Sequence, residues 1–159
     1  MDAIRFREAN IDDNTIIARH FFQLWRDNGV AEASIHSDWR EITLVFIEQA
    51  RQTLAYKAFI AEINSEIVAS VSCQLFAGLY PHILAQQQRK YGYIWGVYVE
   101  EAYRQQGIAK RLTQMAIAYL QSLSCTSVIL HASPAGKPLY SNLGFRESNE
   151  MRLDLISPS

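Results

Sequence analysis

The sequence of 159 residues predicts an α/β fold, with helices on both faces of a mixed sheet, and three observations support this prediction. Short alternating or β-branched apolar runs lie between longer segments whose apolar residues recur at helical intervals. In chain order these segments predict a strand, two helices, three strands, a helix, a strand, a helix and a strand. No repeat, low-complexity tract or linker interrupts this order, so we expect a single domain spanning residues 1–159.

The first part of the chain predicts one strand followed by two helices. Residues 3–7 alternate apolar and basic side chains, which is typical of a strand with one exposed face. A helix follows over 13–27. Asn28 and Gly29 would stop it, since glycine favours the position just after a helix C-terminus. A second helix begins at residue 37 or 38, where Glu41 is placed to complete a capping box with Asp38. The expected buried stripes are Ile17, Phe21, Leu24 and Trp25 on the first helix, and Trp39, Ile42, Phe46 and Ala50 on the second.

The second part begins with a predicted β-hairpin, in which the strands 56–63 and 67–75 are joined across Asn64 and Ser65. The short helix near the end of the chain stops at Gly144, an expected glycine C-terminal cap. The remaining elements are a strand at 93–99, a helix at 107–123, a strand at 127–132, the short helix at 137–143 and a closing strand at 151–155.

Composition and charge exclude several classes of function. The net charge of −1 gives no reason to expect nucleic acid or an anionic membrane as a partner. No apolar stretch reaches membrane-spanning length, and the N-terminus lacks the apolar core of a signal peptide. The two cysteines, Cys73 and Cys125, fit neither a metal-ligand spacing nor a disulfide framework. We therefore expect a soluble cytoplasmic protein without a metal.

The stretch Y-R-Q-Q-G-I-A-K at 103–110 lies where a predicted strand passes into a predicted helix. The first amides of a helix have no intrahelical partner and lie at the positive end of its dipole, so they can bind an anion. Gly107 and Ala109 allow close approach of a ligand, Ile108 can turn into the core, and Arg104 and Lys110 add positive charge. The stretch therefore suits a pyrophosphate, although a glycine at such a junction also occurs simply to satisfy the backbone.

Two other phosphate-binding motifs are excluded, and a second glycine narrows the ligand. The glycines of a dinucleotide-binding G-x-G-x-x-G are missing, and A-G-K-P at 135–138 lacks the features of a P-loop. Gly96 interrupts an otherwise bulky strand, which favours a bulge that would separate this strand from its parallel neighbour. The opened edge would bind an extended, amide-containing arm. A pyrophosphate with such an arm describes coenzyme A.

The sequence resembles the GNAT superfamily of N-acetyltransferases in two blocks. The family motif R/Q-x-x-G-x-G/A matches R-Q-Q-G-I-A at 104–109, and H-A-S-P-A-G-K-P-L-Y-S-N-L-G-F at 131–145 resembles the family's later strand, helix and L-Y-x-x-L-G-F signature. Glu101 stands where a proline is common in the family. The resemblance implies a mostly antiparallel sheet of six to seven strands, splayed at a central parallel pair, and it allows a homodimer for which no residue argues.

The resemblance also implies which residues bind acetyl-CoA. The backbone at Val97, Tyr98 and Val99 would bind the pantetheine arm, and Ser133 stands where many relatives carry an asparagine ligand. Tyr140 occupies the position that in many relatives protonates the departing thiolate, although a tyrosine there can also serve only packing. The residues implied at the pyrophosphate are Arg104, Gln105, Gln106, Gly107, Ile108, Ala109 and Lys110.

The acceptor is less well defined than the donor. Tyr93 and Trp95 share a strand face and are candidates for an acceptor pocket or for the core, while His36 and His82 fall where acceptor loops occur in the family. Glu100 and Glu101 are poor candidates for a general base beside a pyrophosphate. The aromatic segment 22–39 suits a small amine with some apolar bulk, and Glu147 and Glu150 are candidates for attracting its charge.

The sequence therefore predicts an enzyme that transfers an acetyl group from acetyl-CoA to a primary amine of a small molecule by direct attack. Two other functions on the same fold stay open. One is a non-catalytic module that binds or senses acyl-CoA, and the other is an acetyltransferase that modifies proteins or peptides.

Overall fold

The computed structural model describes residues 2–156, which contain five strands and four α-helices. The chain order confirms the prediction up to the last helix. The elements are β1 (Ile4–Glu8), α1 (Asn14–Asp27), α2 (Trp39–Thr53), β2 (Lys57–Ile63), β3 (Glu66–Leu75), β4 (Tyr91–Val99), α3 (Ile108–Ser122), β5 (Ser127–Ile129) and α4 (Lys137–Asn142).

The five strands form one mixed sheet in the order β1-β2-β3-β4-β5. The first three pairings are antiparallel, and β4 pairs with β5 in parallel, so the mostly antiparallel character is confirmed. In the β2–β3 hairpin both turn residues, Asn64 and Ser65, have a positive φ, of 52° and 65°. Two consecutive left-handed residues match the right-handed twist of the flanking strands, which explains why this two-residue turn closes the hairpin.

The core is divided into two layers, one on each face of the sheet. Along β2, Phe59, Ala61 and Ile63 pack with α3, while Ala58 and Ile60 pack with α1 and α2. Successive strand side chains point to opposite faces, so this alternation confirms helices on both faces of the sheet. The α3 side chains of the larger layer are Ile108, Leu112, Ala116 and Leu120.

The prediction of the buried helix faces needs correction. On α2 the fully buried side chains are Thr43, Ile47 and Ala50, whereas Ile42 and Phe46 are about half exposed. On α1, Trp25 is also half exposed, and its ring packs against Phe21 at the surface. The outer apolar positions therefore line a surface, and helical spacing alone does not distinguish such a surface from a core.

The capping box predicted at the start of α2 is wrong. Asp38 precedes the helix, but its side chain makes no capping hydrogen bond. A capping box instead forms ahead of α1, where the Asn10 side chain caps the turn and the Asn10 amide donates to Asp13 at 2.8 Å. At both helix starts an acidic residue follows the cap residue by three positions, as a capping box requires. Only the loop before α1 gives the cap residue the extended backbone that the box also needs.

The prediction of six to seven strands is also wrong for the described residues, because 151–155 forms no strand. Its apolar side chains are almost fully exposed, as Met151, Leu153 and Leu155 show. A strand needs a partner edge as well as an alternating pattern, and within residues 2–156 nothing pairs with the outer edge of β5. The parallel pair therefore lies at the edge of this sheet rather than in its centre.

Candidate active site

The parallel strands β4 and β5 are paired over only three residues. The ladder joins Tyr91 to Ser127, Gly92 to Val128 and Tyr93 to Ile129. Beyond Tyr93 the strand β4 continues to Val99 without a partner on this side, and β5 has already ended. The backbone of β4 is thus open to an extended ligand along this edge, as the sequence predicted.

A β-bulge in β4 begins where the two strands separate. Ser72 of β3 is opposite Trp95 and Ser70 is opposite Tyr98, so a single β3 residue faces both Gly96 and Val97. Gly96 has a φ of 65°, a conformation that costs little only for glycine. The extra residue bends the strand and turns it away from β5, which confirms the bulge predicted from Gly96.

The strand-to-helix corner is shaped to present its backbone amides. Gln105 and Gly107 both have a positive φ, of 62° and 79°, and Gly107 immediately precedes α3. Among the residues that the structure describes, none accepts a hydrogen bond from the amides of residues 105–110, and the first paired amide is that of Arg111, at 3.1 Å from the Gly107 carbonyl. A run of free amides at a helix N-terminus is a binding site for an anion. We call residues 104–110 the anion loop.

The side chains of the anion loop divide into one inward and several outward groups. Ile108 is 2% exposed and anchors the loop in the core, as expected from the sequence. Gln105, Gln106 and Lys110 are exposed, and a Cβ placed on Gly107 would meet no atom within 4 Å. The space in front of the amides is therefore open to solvent, and the glycine is needed for its backbone angle as well as for its small size.

Arg104 is held in place by the protein itself. Its Nε donates to the Val99 carbonyl at 2.8 Å, and its terminal nitrogen donates to Asp27 of α1 at 2.8 Å. Hydrogen bonds from Gln23 and Arg104 hold the pKa of Asp27 below its usual range. The guanidinium therefore joins the anion loop to the end of α1, and its charge reaches a ligand only from this fixed position.

A narrow cavity of about 70 Å³ lies at the separation of the two strands, and we call it the β4–β5 cleft. It brings together three of the residues singled out in the sequence, namely Val97, Ser133 and Tyr140. The Ser133 hydroxyl accepts a hydrogen bond from the Gly136 amide at 3.2 Å, which holds the turn ahead of α4. The full lining is Leu24, Asn28, Ile94, Trp95, Gly96, Val97, Leu130, His131, Ser133 and Tyr140.

Tyr140 enters the cleft from the first turn of α4. Its ring packs edge-on against Phe145, and the close approach of Gly136 on its other side would place a Cβ only 3.1 Å from the ring. Burial raises the pKa of the Tyr140 phenol above its usual value of 10.0. The hydroxyl is thus protonated at neutral pH and available as a hydrogen-bond donor.

The other side of the cleft is aromatic. Trp95 has edge contacts with Phe21 of α1 and Phe46 of α2, at centroid distances of 5.0 and 5.4 Å, and its Nε1 donates to Gln74 at 3.0 Å. Trp25 packs against Phe21 and is half exposed, as is Phe46. The C-terminal half of α1 and the middle of α2 therefore present an apolar surface next to the bulge.

The histidines singled out in the sequence lie elsewhere. His36 and His82 are exposed and neither lines the cleft, whereas His131, which was not singled out, does. Its place in the segment that follows β5, the parallel partner of β4, was the available signal, but the extent of β5 decides whether that position faces the cleft. Glu100 lies 3.8 Å from the buried His20, and neither residue lines the cleft.

A larger polar cavity of about 490 Å³ lies beside the β2–β3 hairpin turn. Three of its charged side chains form one cluster, in which Arg7 contacts Asp13 at 2.9 Å and Glu62 at 2.6 Å. It shares no residue with the β4–β5 cleft. The lack of an open strand edge distinguishes it from the cleft, which we take as the candidate active site.

The fold and the cleft define a class of protein, an α/β protein with an open strand edge that leads to a helix N-terminus. Comparison with known proteins gives the family. The model of the Acetyltransferase (GNAT) family matches residues 12–145, and the chain belongs to this family of acetyltransferases. Its members use acetyl-CoA as the acetyl donor.

Solved structures are similar over almost the whole chain. A GCN5-related N-acetyltransferase from Ralstonia eutropha JMP134 has a TM-score of 0.80 and 25% identity, covering 96% of this chain and 99% of that one. A predicted acetyltransferase from Clostridium acetobutylicum, solved with acetyl-CoA, has a TM-score of 0.81 and 23% identity, covering 96% and 97%. A glucosamine-6-phosphate N-acetyltransferase from Arabidopsis thaliana has a TM-score of 0.68 and 19% identity, covering 98% and 100%. No curated protein sequence matches the chain.

Between residues 2 and 156 no three His, Cys, Asp or Glu side chains are grouped so as to hold a metal ion. None of the helices in this part of the chain is both long and apolar enough to cross a membrane.

Proposed function

We propose that this acetyltransferase moves an acetyl group from acetyl-CoA to a primary amine of a small molecule by direct nucleophilic attack. The observation that carries the proposal is the continuity between the open edge of β4 and the free amides of the anion loop. The strand edge suits the amide-bearing pantetheine arm, and the loop suits the pyrophosphate at its end. A single extended ligand would occupy both.

The residues of the chain fit this ligand. The free amides of residues 105–110 would hold the pyrophosphate, and the exposed Lys110 would add positive potential. The backbone of β4 from Val97 through Tyr98 to Val99 would hold the pantetheine arm, with Ser133 on the opposite wall. Because the Arg104 guanidinium already donates to the Val99 carbonyl and to Asp27, it would contribute to anion binding mainly through its charge and from a distance.

When bound, acetyl-CoA supplies the acetyl group as a thioester. The backbone at the bulge, beside Val97, would stabilise the charge that develops on the carbonyl oxygen. Tyr140 would donate its phenolic proton to the sulfur as the carbon–sulfur bond breaks, which requires a phenol that is protonated at neutral pH. The location of Tyr140 in the cleft and the rise in its pKa support this role.

The apolar surface formed by α1 and α2 supports a small acceptor with an aromatic or aliphatic body. Trp95, Phe46 and Trp25 offer flat apolar area beside the bulge, where an acceptor would meet the thioester. A narrow cleft also favours a small amine over an extended peptide. We therefore place protein acetylation second.

The test measures thiol release from acetyl-CoA with a panel of small amines and with lysine peptides. We expect turnover with apolar primary amines, and we expect Tyr140→Phe to lower kcat about 100-fold, a typical effect of losing a general acid, with unchanged affinity for CoA. Tyr103→Phe removes a hydroxyl outside the cleft and serves as the control. Tight CoA binding without turnover on any acceptor would contradict the proposal, and turnover on peptides alone would favour protein acetylation.

We also propose that the protein works in the cytoplasm and forms a homodimer. Two free cysteines suit a reducing compartment. In a dimer, the segment 151–155 of one copy, with its exposed apolar side chains, would pair with the unpaired outer edge of β5 in the other copy. An alternating segment can add a strand to an open sheet edge in this way. Sedimentation of the protein and of Leu153→Asp checks this: a monomer in both cases would contradict the dimer.

A further inference from the structure

Three polar side chains form a chain of contacts beside the β4–β5 cleft, consisting of one hydrogen bond and one ion-pair contact. The Tyr93 hydroxyl is 2.6 Å from Nδ1 of His131, and Nε2 of His131 is 3.3 Å from a carboxylate oxygen of Glu150. The three residues come from β4, from the segment after β5 and from the segment after α4. His131 also lines the cleft that contains Tyr140, so the chain connects the site to the surface of the protein.

The nearby carboxylate favours one direction for the Tyr93–His131 hydrogen bond. A carboxylate can only accept, so Glu150, 3.3 Å from Nε2, favours the tautomer of a neutral His131 that carries its proton on Nε2. Nδ1 then carries no proton and accepts the hydrogen bond that the Tyr93 hydroxyl donates. The second carboxylate oxygen of Glu150 is 3.7 Å from Arg152.

Tyr93 does not itself line the cleft, but it lies on a face of β4 that does. It shares a strand face with Trp95, two residues along β4, and Trp95 lines the cleft. Burial, and secondly the charge of Glu150, raise the pKa of the Tyr93 phenol, so the hydroxyl is a proton donor to Nδ1 at neutral pH. At the same time its oxygen still has a free lone pair for a proton from the acceptor.

We propose that Tyr93 and His131 form the proton relay that deprotonates the acceptor amine, and that Glu150 is the positioning residue of this relay. The inference rests on the proposed function, because it supplies the base that amine acetylation requires. It assigns a role to His131 and to the two residues that contact it, and Tyr140 keeps the separate task of protonating the sulfur.

The proton balance of the transfer is complete with these groups. The amine nitrogen forms a bond to the carbonyl carbon and the carbon–sulfur bond breaks. A proton of the nitrogen passes to the Tyr93 oxygen, while the hydroxyl proton of Tyr93 passes to Nδ1 of His131. The resulting imidazolium is stabilised by Glu150, and because the His131 side chain is 63% exposed it releases the proton to water. Tyr140 protonates the thiolate and is reprotonated from solvent.

The first experiment compares His131→Ala with the wild type in steady-state kinetics at saturating acetyl-CoA. We expect kcat to fall about 100-fold, as for loss of a general base, with the KM for acetyl-CoA unchanged. Free imidazole in the buffer should restore much of the rate, because the exposed site leaves room for it, whereas a purely structural defect would not respond. His82→Ala, an exposed histidine outside the cleft, is the matched control.

The second experiment needs no turnover. Imidazole ¹⁵N chemical shifts of the free protein, at a pH where the ring is neutral, report which nitrogen carries the proton. We expect His131 to be in the Nε2–H form, and we expect Tyr93→Phe, which removes only a hydroxyl, to weaken this preference and to lower kcat to a similar extent as His131→Ala. Glu150→Gln should weaken it as well.

The outcomes separate this inference from the proposed function. Wild-type turnover together with a fully active His131→Ala, or with an Nδ1–H tautomer of His131, would overturn the relay and leave the proposed function standing. A wild type that binds acetyl-CoA but acetylates no amine would overturn both. Loss of activity in His131→Ala with rescue by imidazole, together with the Nε2–H tautomer, would support the relay.

Discussion

The two sides of the β4–β5 cleft are built from different parts of the polypeptide. The donor side consists mainly of backbone: the open edge of β4, the bulge at Gly96 and the free amides of the anion loop, all within about 15 consecutive residues. The acceptor side consists of side chains from α1, α2, β4 and the segments after β5 and α4. Glycines in one contiguous stretch shape the first, whereas the second exists only when distant elements meet.

This difference explains why the donor was easier to infer than the acceptor. A backbone site tolerates most side chains but requires particular φ angles, and these requirements leave glycines at defined positions. A side-chain site can be assembled in many ways, so its residues carry no fixed spacing. The predictions below test whether the two sides depend on backbone and on side chains as described.

The largest effect is expected from Gly107→Trp. A residue with a Cβ is strained at a φ of 79°, and the indole would occupy the open space in front of the amides. Loss of two or three charge-assisted hydrogen bonds should weaken acetyl-CoA binding about 1000-fold, measured by calorimetric titration. Gly78→Trp, at a loop glycine with a φ of 92° and no contact closer than 3.5 Å, is the control for strain. Equal affinities in the two variants would refute a backbone-built donor site.

A pH effect on stability should arise from His20, which is buried between α1 and β4. Burial lowers the pKa of this imidazole from 6.5 to about 4, so the unfolded chain binds a proton between these values that the folded protein does not. The free energy of unfolding therefore has its full value above pH 6.5 and declines as the pH falls toward 4. Protonating the buried imidazole costs free energy, and Glu100, 3.8 Å away, offsets part of this cost. We therefore expect the free energy of unfolding to fall by about 2 kcal/mol, or about 30-fold in the unfolding equilibrium.

Urea unfolding at several pH values checks this expectation, with His20→Gln as the comparison. The difference in unfolding free energy between the two proteins should shrink as the pH is lowered. A constant difference would mean that His20 does not titrate in this range. The result also separates pH effects on activity in the cleft from partial unfolding.

A smaller effect is expected on the acceptor side from Phe46→Ala. The ring contacts Trp95 edge-on and is half exposed, so its removal should leave the fold intact while removing apolar area beside the bulge. The KM for apolar amines should rise about 10-fold, and the affinity for acetyl-CoA should not change. Val45→Ala, at a neighbouring position on α2 with similar exposure, should leave both quantities unchanged. A weaker CoA affinity in Phe46→Ala would show that the two sides are not separate.

The smallest effect is expected from Arg104→Leu. The guanidinium is engaged by Val99 and Asp27, so the ligand would gain mainly a distant, screened charge from it. We expect acetyl-CoA binding to weaken about 3-fold, far less than for Gly107→Trp. Titration calorimetry at low and high salt checks this. A loss comparable to that of Gly107→Trp would mean that side-chain charge, rather than backbone, dominates the donor side.

Much of the fold was predictable because its signals are local. The turn at Asn64 and Ser65, the bulge at Gly96 and the C-terminal cap at Gly144 each follow from backbone preferences of a few neighbouring residues. The closing strand at 151–155 was predicted by the same kind of pattern and was wrong, because a strand also requires a free edge in the right place. The alternating pattern shows only that the segment could form a strand, and the sheet determines whether an edge is available to pair with it.

The candidate site was predictable where it depends on neighbouring residues and not where it depends on contacts between distant segments. The sequence led to Gly107, Ser133 and Tyr140, whose positions within a corner, a turn and a short helix depend on nearby residues, and their functional roles stay predictions. It pointed to His36 and His82 rather than His131, since the contact of His131 with Tyr93 spans 38 positions of sequence.

The sequence by itself therefore determined the order of elements up to α4, the separation of β4 from β5 and the anion loop, because backbone angles and helix ends are local properties. The tertiary structure alone decided which apolar side chains of α1 and α2 are core and which form a surface. It also decided that Tyr93, His131 and Glu150 meet. Contacts between distant segments depend on how the helices and strands pack, and that packing minimises the free energy of the whole chain rather than of any one segment.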